Sequence, residues 1–219
     1  DYGKARNYVS GENPARLKGH LDKVLSKTAK VKRVRHFPAL PYSEISSFIS
    51  ELRTRSGYSA LGLEFLILTA GRTGEIIGAK WSEMNLEQAI WTIPANRMKA
   101  GAEHRVPTCS RAIEILKSMN SNRNPEEHVF SGWKRSTGLS NNAFLALLKK
   151  MQRSDITPHG FRSTFRDWAA EEAYQYPNET IELALAHTIK NKAEAAYRRG
   201  DQLERRRELM AEWNKFIEK

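Results

Sequence analysis

Residues 58–70, YSALGLEFLILTA, are apolar nearly all the way round a helix. A helix of that kind has no face for water and belongs inside a core. Two amphipathic stripes are available to pack near it. Ile45, Phe48, Ile49 and Leu52 recur at i, i+3, i+4 and i+7, and Phe144, Leu147, Leu148 and Met151 repeat the pattern. Ser110 and Ser140 are expected to cap helices over 111–119 and from 141 onward. The β signal is confined to one place. IWTIP (90–94) and EHRVPT (103–108) flank NRMKAGA, whose Gly101 suits a hairpin turn, and HVF (128–130) is read as a short third strand. The expected class is mainly α with a small antiparallel β-sheet.

Charge narrows the partner. Among 219 residues, Lys and Arg number 36 against 25 Asp and Glu, a net +11. A balance that basic favours a polyanion, nucleic acid first and an acidic membrane surface second. No apolar run reaches the ~20 residues of a membrane span. The single Cys109 excludes an internal disulfide framework and suits a reducing cytoplasm. Residues 1–36 carry ten Lys or Arg against Asp1, Glu12 and Asp22, hence +7 of the +11. They hold few large apolar residues and read as a tail plus basic linker, with Lys30, Lys32, Arg33 and Arg35 placed to track a phosphate backbone. The expected division is 1–36 and 37–219. The chain opens on Asp1 rather than Met, so a fragment of a longer protein is expected.

Several polar residues fall where a core-forming chain has little use for them. Gly71 and Gly74 bracket Arg72 at the end of the buried helix, with Glu75 three residues on as its partner. A charge there is costly unless it is paired or faces an anion. A short helix is expected to follow through Lys80. Lys99 lies near the hairpin tip, and Arg105 follows on the returning strand. Thr157–Pro158 reads as a helix start, a capping hydroxyl with proline at the first helical position. At about 100° per residue, His159, Arg162 and Arg166 then fall within roughly 60° of one another. Phe161, Phe165 and Trp168 take another face. Next, PNETIELALAH reads as a helix capped by Asn178 and ending at His187. KNKAEAAYRRG reads as one carrying Tyr197 and closed by Gly200. Tyr197, beside Arg198 and Arg199, is the only tyrosine in such cationic company. Asp201 with Glu204 resembles a capping box for a last helix over 202–218. Its stripe of Leu203, Met210, Trp213 and Ile217 can fold back on its own domain or dock on a neighbour.

Taken singly these signals are bland, since a basic helix face is usually solvated surface and a hairpin lysine usually keeps an edge soluble. In order and spacing, however, Arg72 in TAGRTGEI, Lys99 in the hairpin, His159 and Arg162 in HGFR, His187 in LAH and Tyr197 in AAYRRGD resemble the tyrosine recombinases, the lambda-integrase-like enzymes. The look is that of prophage and genomic-island integrases. YVSGENPA resembles the end of their core-binding domain, and residues 37–219 resemble the catalytic domain. Tyr197 lies ten residues after His187, where nine is commoner in the wider family.

The resemblance implies the DNA breaking–rejoining fold and a cytoplasmic, nucleoid-associated bacterial enzyme. Arg72 and Arg162 clamp the non-bridging oxygens of a scissile phosphate, Tyr197 attacks phosphorus, and His159 takes the phenolic proton. Lys99 protonates the departing 5′ oxygen, His187 hydrogen-bonds the phosphate or the nucleophile, and Glu75 supports from behind. Lys30, Lys32, Arg33, Arg35, Arg105, Arg166 and Arg198 contact DNA. No cofactor and no metal are implied, because the phosphotyrosine ester conserves the bond energy. The sequence likewise shows no acidic cluster of two-metal spacing and no G-x-x-x-x-G-K-[ST] loop. Implied partners are double-stranded attachment-site DNA, a homotetramer on DNA through the C-terminal helix, a DNA-bending accessory protein and an excisionase, with no membrane. The competing readings are topoisomerase-like nicking and resealing, and a basic DNA-binding module without chemistry. The latter has no use for a tyrosine at 197.

Overall fold

The computed structural model describes residues 2–11, 13, 15–25, 38–119, 124–132, 137–187 and 200–219. The chain divides into two compact units, Asp1–His36 and Phe37–Lys219. In the first, helical turns at Tyr2–Ala5 and Asp22–Val24 and an irregular turn over Leu17–Leu21 bury no side chain. Lys30, Lys32, Arg33 and Arg35 lie outside the described residues.

The second unit begins with α1 (Ile45–Arg53), α2 (Tyr58–Thr69) and the short α3 (Thr73–Ile77). A sheet of β1 (Met84–Asn85), β2 (Ile90–Ile93) and β3 (His104–Pro107) follows, antiparallel in the order β1-β2-β3. Then come α4 (Ser110–Met119), α5 (Ala143–Lys150), α6 (Gly160–Glu171), α7 (Asn178–Ala184) and α8 (Leu203–Ile217). No helix among the described residues is long and apolar enough to cross a membrane.

As its composition demands, α2 is central, with α1, α3, α4, α5, α6 and α8 around it. Leu63, Phe65 and Leu66 are fully buried. So is its one charge, Glu64, which Arg53 and Arg111 each reach at 2.8 Å, so the carboxylate is not left alone in the core. The stripes on α1 and α5 are buried as expected. The α8 stripe folds back in cis. Met210, Trp213 and Ile217 are buried, and the Trp213 indole N–H donates to the Ile67 carbonyl at 2.9 Å while its ring lies 4.9 Å from that of Trp168.

Four local expectations are corrected. The third strand is Met84–Asn85, paired to Trp91 and Ile90, because it lies close enough in sequence to turn back onto β2. His128 makes a single bridge to Lys80, and Val129 and Phe130 go to the core. The α5 helix starts at Ala143 with Asn142 before it, so Ser140 supplies only a backbone carbonyl. Asn178 does not cap α7, since its Oδ1 accepts from Arg166 at 2.5 Å. Asp201 and Glu204 form no capping box: Asp201 pairs with Arg105 and Arg206, and Glu204 with Arg207.

The start of α6 follows expectation in part: the helix begins at Gly160 with His159 before it, not at Pro158, but the Thr157 hydroxyl does serve its first turn. Thr157 Oγ1 accepts the Gly160 N–H at 3.1 Å, one of the orphan donors of a helix start. Pro38 seats its carbonyl on the same turn, accepting from the Thr157 N–H at 3.2 Å. A Cβ on Gly160 would lie 2.1 Å from that oxygen. The chain crosses the helix start only because residue 160 has no side chain.

Candidate active site

The site is built on the C-terminal ends of two helices. Both α2 and α7 close with an alanine in the left-handed region, Ala70 at φ 49° and Ala186 at φ 49°. In each the alanine N–H and the following N–H turn back onto the last turn: Ala70 to Ile67 and Gly71 to Leu66, Ala186 to Leu183 and His187 to Glu182. This is the Schellman closure, with alanine where glycine is usual. It leaves carbonyls at the negative end of each helix dipole pointing outward. Arginines take them up. Arg162 on α6 donates to the Ala70 carbonyl and to the Leu185 carbonyl, both at 2.5 Å. Arg72 donates to the carbonyls of Leu185 (3.3 Å) and Ala186 (3.1 Å).

Glu75 orients Arg72 from the next turn. One carboxylate oxygen accepts from Nη1 at 2.7 Å and the other from the Arg72 backbone N–H at 2.8 Å. The hairpin is tied to that turn by Arg97. Its guanidinium donates to the Glu75 carbonyl at 2.6 Å and pairs with the buried Glu83, which also accepts the Trp91 indole N–H at 2.9 Å. Two residues beyond Arg97, Lys99 is exposed and reaches the same cleft.

That cleft has a volume of about 570 Å³ and is lined by Arg72, Lys99, Ala100, His159, Arg162, Glu182, Ala186 and His187. Two guanidinium groups, an ammonium and two imidazoles therefore converge from four separate stretches of chain. Among the described residues, Glu75 behind Arg72 and Glu182 in the lining stand against them. Burial, with Arg72 beside it, pulls the Arg162 pKa down to about 10, so the group is still charged at neutral pH. Burial and the cations Arg162 and Arg72 push His159 below its ordinary value, so its imidazole is neutral at pH 7 and able to accept a proton. Such a surplus of fixed donors around an open volume fits an anion whose charge rises during reaction. At the start of β3, burial and Arg206 lower the pKa of His104 to about 4.

Residues 39–204 match the model of the phage integrase family. The chain belongs to the phage integrase family. Among its relatives, the prophage integrase IntZ of Escherichia coli K12 is 34% identical over 196 residues, covering 89% of this chain and 48% of that protein. The integrase of Shigella phage Sf6 is 32% identical over 199 residues, covering 89% and 51%. The chain thus spans about half the length of the curated relatives it matches. Of solved structures, the integrase from mycobacterium phage Brujita superimposes with a TM-score of 0.59 at 16% identity, covering 89% of this chain and 66% of that one. A lambda integrase fragment, determined as a dimer bound to a COC′ core site, gives 0.57 at 16% identity, covering 86% and 67%. The fold is that of the tyrosine recombinase catalytic domains.

In this integrase domain, Arg72, Lys99, His159, Arg162 and His187 are brought together, with Glu75 behind Arg72. Tyr197 and Arg198 lie outside the described residues. Arg105 and Arg166 are held by carboxylates: Arg105 bidentately by Asp201 at 2.8 and 2.9 Å, and Arg166 by Glu182 at 2.9 Å. The sequence reading missed Glu182. It lies five residues before His187, a spacing that puts two residues on different sides of a continuous helix. The left-handed turn at Ala186 removes that separation and brings His187 Nδ1 to 2.7 Å from Glu182 Oε2.

Proposed function

We propose that this chain is the catalytic domain of a site-specific DNA recombinase that integrates and excises a prophage or genomic island through a covalent 3′-phosphotyrosine intermediate. The observation that carries the reading is the convergence of Arg72, Lys99, His159, Arg162 and His187 on one open cleft. A DNA phosphodiester seated there offers its non-bridging oxygens to the Arg72 and Arg162 forks, whose fixed donors stabilise the charge that grows at phosphorus. Tyr197 Oη attacks phosphorus as the bond to the 5′ oxygen breaks. His159 takes the phenolic proton, Lys99 gives a proton to the departing 5′ oxygen, and His187 donates to a phosphate oxygen. The products are a 3′-phosphotyrosine ester and a free 5′-hydroxyl. Attack by a 5′-hydroxyl from the partner duplex reverses the steps and frees Tyr197. No metal enters these steps, because the cationic side chains supply the charge stabilisation.

The same reading gives attachment-site duplex DNA as substrate and a tetramer as the working assembly, aided by a DNA-bending protein and an excisionase. Lys30, Lys32, Arg33, Arg35 and Arg198 serve as phosphate contacts, and Arg105 and Arg166 join them if DNA displaces their carboxylate partners. With the apolar stripe of α8 buried in its own domain, a neighbouring protomer has the polar face of that helix to meet. Residues 1–36 are the end of a core-binding domain with its linker.

The test is a nicked suicide duplex whose cleavage releases a short strand. Wild type and Tyr197→Phe are incubated with it in EDTA, and adducts are read on a denaturing gel. A wild-type adduct absent from the variant is expected. An adduct in both moves the nucleophile elsewhere, and salt-sensitive binding without an adduct in either supports a DNA-binding module.

A further inference from the structure

Glu182 is a puzzle on electrostatic grounds, because a carboxylate lining an anion cleft repels the ligand. Its contacts resolve the puzzle. Arg166 holds Oε1 at 2.9 Å and is itself held by Asn178 at 2.5 Å, so the carboxylate has a fixed orientation. Oε2 faces His187 Nδ1 at 2.7 Å. The backbone repeats the link, with the His187 N–H donating to the Glu182 carbonyl at 3.0 Å. On the other side of the ring, Arg162 Nη2 lies 3.1 Å from His187 Nε2. A guanidinium has donors and no acceptor, so Nε2 must be the acceptor in that contact. The ring proton therefore sits on Nδ1 and is donated to Glu182. Burial opposes the charged form of Glu182, yet the bonds from His187 and Arg166 prevail and hold its carboxyl below the ordinary range.

We propose that Glu182 is a positioning residue for His187, holding the ring proton on Nδ1 and stabilising the imidazolium that forms once DNA draws Arg162 away from Nε2. The inference rests on the reading of the cleft as a phosphodiester site. In the free protein Nε2 accepts from Arg162 and has nothing to offer a phosphate. An entering phosphate competes for the same guanidinium and exposes the Nε2 lone pair. Nε2 then takes one proton from solvent and donates it in a hydrogen bond to a phosphate oxygen. The neighbouring charges oppose that uptake: Arg162 and His159 at the start of α6, Arg72 before α3 and Lys99 from the hairpin are all cationic or able to become so. Glu182 is the anion in direct contact with the ring, and the phosphate is the second. The arrangement repeats the carboxylate–histidine logic of hydrolase triads, where the acid fixes the tautomer and stabilises the imidazolium.

The experiment compares wild type, Glu182→Gln, Glu182→Ala, His187→Ala and Glu182→Ala/His187→Ala. Single-turnover adduct formation is measured from pH 5.5 to 9, with DNA affinity by fluorescence anisotropy. Glu182→Gln keeps shape and an acceptor but removes charge. It is expected to bind DNA within about threefold of wild type while forming adduct roughly 10–100-fold more slowly at pH 7.5. Its pH–rate profile should also differ in shape from that of wild type. The double variant should be no slower than His187→Ala. A wild-type rate and profile in Glu182→Gln, or single defects that multiply in the double variant, overturn the proposal. A second readout is independent of catalysis. In 15N-histidine spectra of the free protein, His187 should show the Nδ1–H tautomer in wild type, with its Nδ1–H proton resonance shifted downfield by the Glu182 carboxylate and returned upfield in Glu182→Ala. The Nε2–H tautomer in wild type overturns the proposal. If wild type forms no adduct at all, the reading of the cleft fails, and the spectra still decide the tautomer.

Discussion

Arg162 donates to the Leu185 carbonyl at 2.5 Å, tying the middle of the site to the end of α7. Only 5% exposed, it is held in place by backbone rather than by a carboxylate. Its position is thus set without neutralising its charge. Arg162→Lys keeps the charge but loses the planar fork. Adduct formation is expected to fall by about 10²–10³, the usual cost of one oxyanion donor. Because the Ala70 carbonyl then lacks its donor and the Leu185 carbonyl keeps only the longer bond from Arg72, urea denaturation should show a loss of about 1–3 kcal/mol. A variant with normal chemistry would refute the clamp.

Lys99 is read as the acid for the 5′ oxygen. Lys99→Ala should form adduct about 10²–10⁴-fold more slowly. A substrate with sulfur at the bridging 5′ position departs as a thiolate and needs no proton, so it should restore most of the rate. An equal defect on both substrates would move Lys99 to a binding role.

Gly160 is the place where the chain entering the unit crosses the start of α6. Gly160→Ala puts a methyl 2.1 Å from the Pro38 carbonyl and 2.9 Å from Ala39 Cα. Both neighbours are backbone and yield little. A loss of roughly 1–3 kcal/mol is expected in urea denaturation, together with slower cleavage because His159 adjoins the displaced turn.

Asp201 anchors the chain just after the Tyr197 stretch. Its carboxylate holds Arg105 and Arg206 at 2.8 and 2.9 Å, and Arg206 is 1% exposed. Asp201→Ala strands that guanidinium with only carbonyl partners, Asp201 and Arg105. A cost of about 3–5 kcal/mol is expected by chemical denaturation. Asp201→Asn should cost less, since an amide oxygen can still accept.

His104 gives the fold a pH dependence. Burial and Arg206 lower its pKa to about 4 from the 6.5 of an unhindered histidine. Between those values the unfolded chain binds more protons than the folded one, so stability rises with pH. The contribution is complete above about 6.5 and is lost as pH falls toward about 4. Between pH 7.5 and 4.5, wild type should lose roughly 2 kcal/mol more than His104→Gln. Equal losses would show that His104 protonates freely in the folded state.

Apolar content all round marked α2, and IWTIP and EHRVPT around Gly101 marked the hairpin. The stripes on α1, α5 and α8 were legible because burial on one face leaves a repeat that survives in one dimension. The partners of individual polar groups were less legible. Ser140, Asn178 and Asp201 each looked like a helix cap, and Asn178 and Asp201 instead serve arginines 12 and 96 residues away. Short polar side chains bond whatever donor the fold brings near, and distance along the chain does not constrain that.

The candidate site divides in the same way. Residue types and order were enough to nominate Arg72, Lys99, His159, Arg162 and His187, because phosphate chemistry needs permanent cations and groups that exchange protons. How the two arginines are held, and that Glu182 stands behind His187, only the tertiary structure decided. Both depend on left-handed turns at Ala70 and Ala186, which aim helix-end carbonyls at the guanidinium groups and fold His187 back onto the preceding helix. An alanine at positive φ leaves no mark in the sequence. The backbone adopts it because the packed ends of α2 and α7 close there.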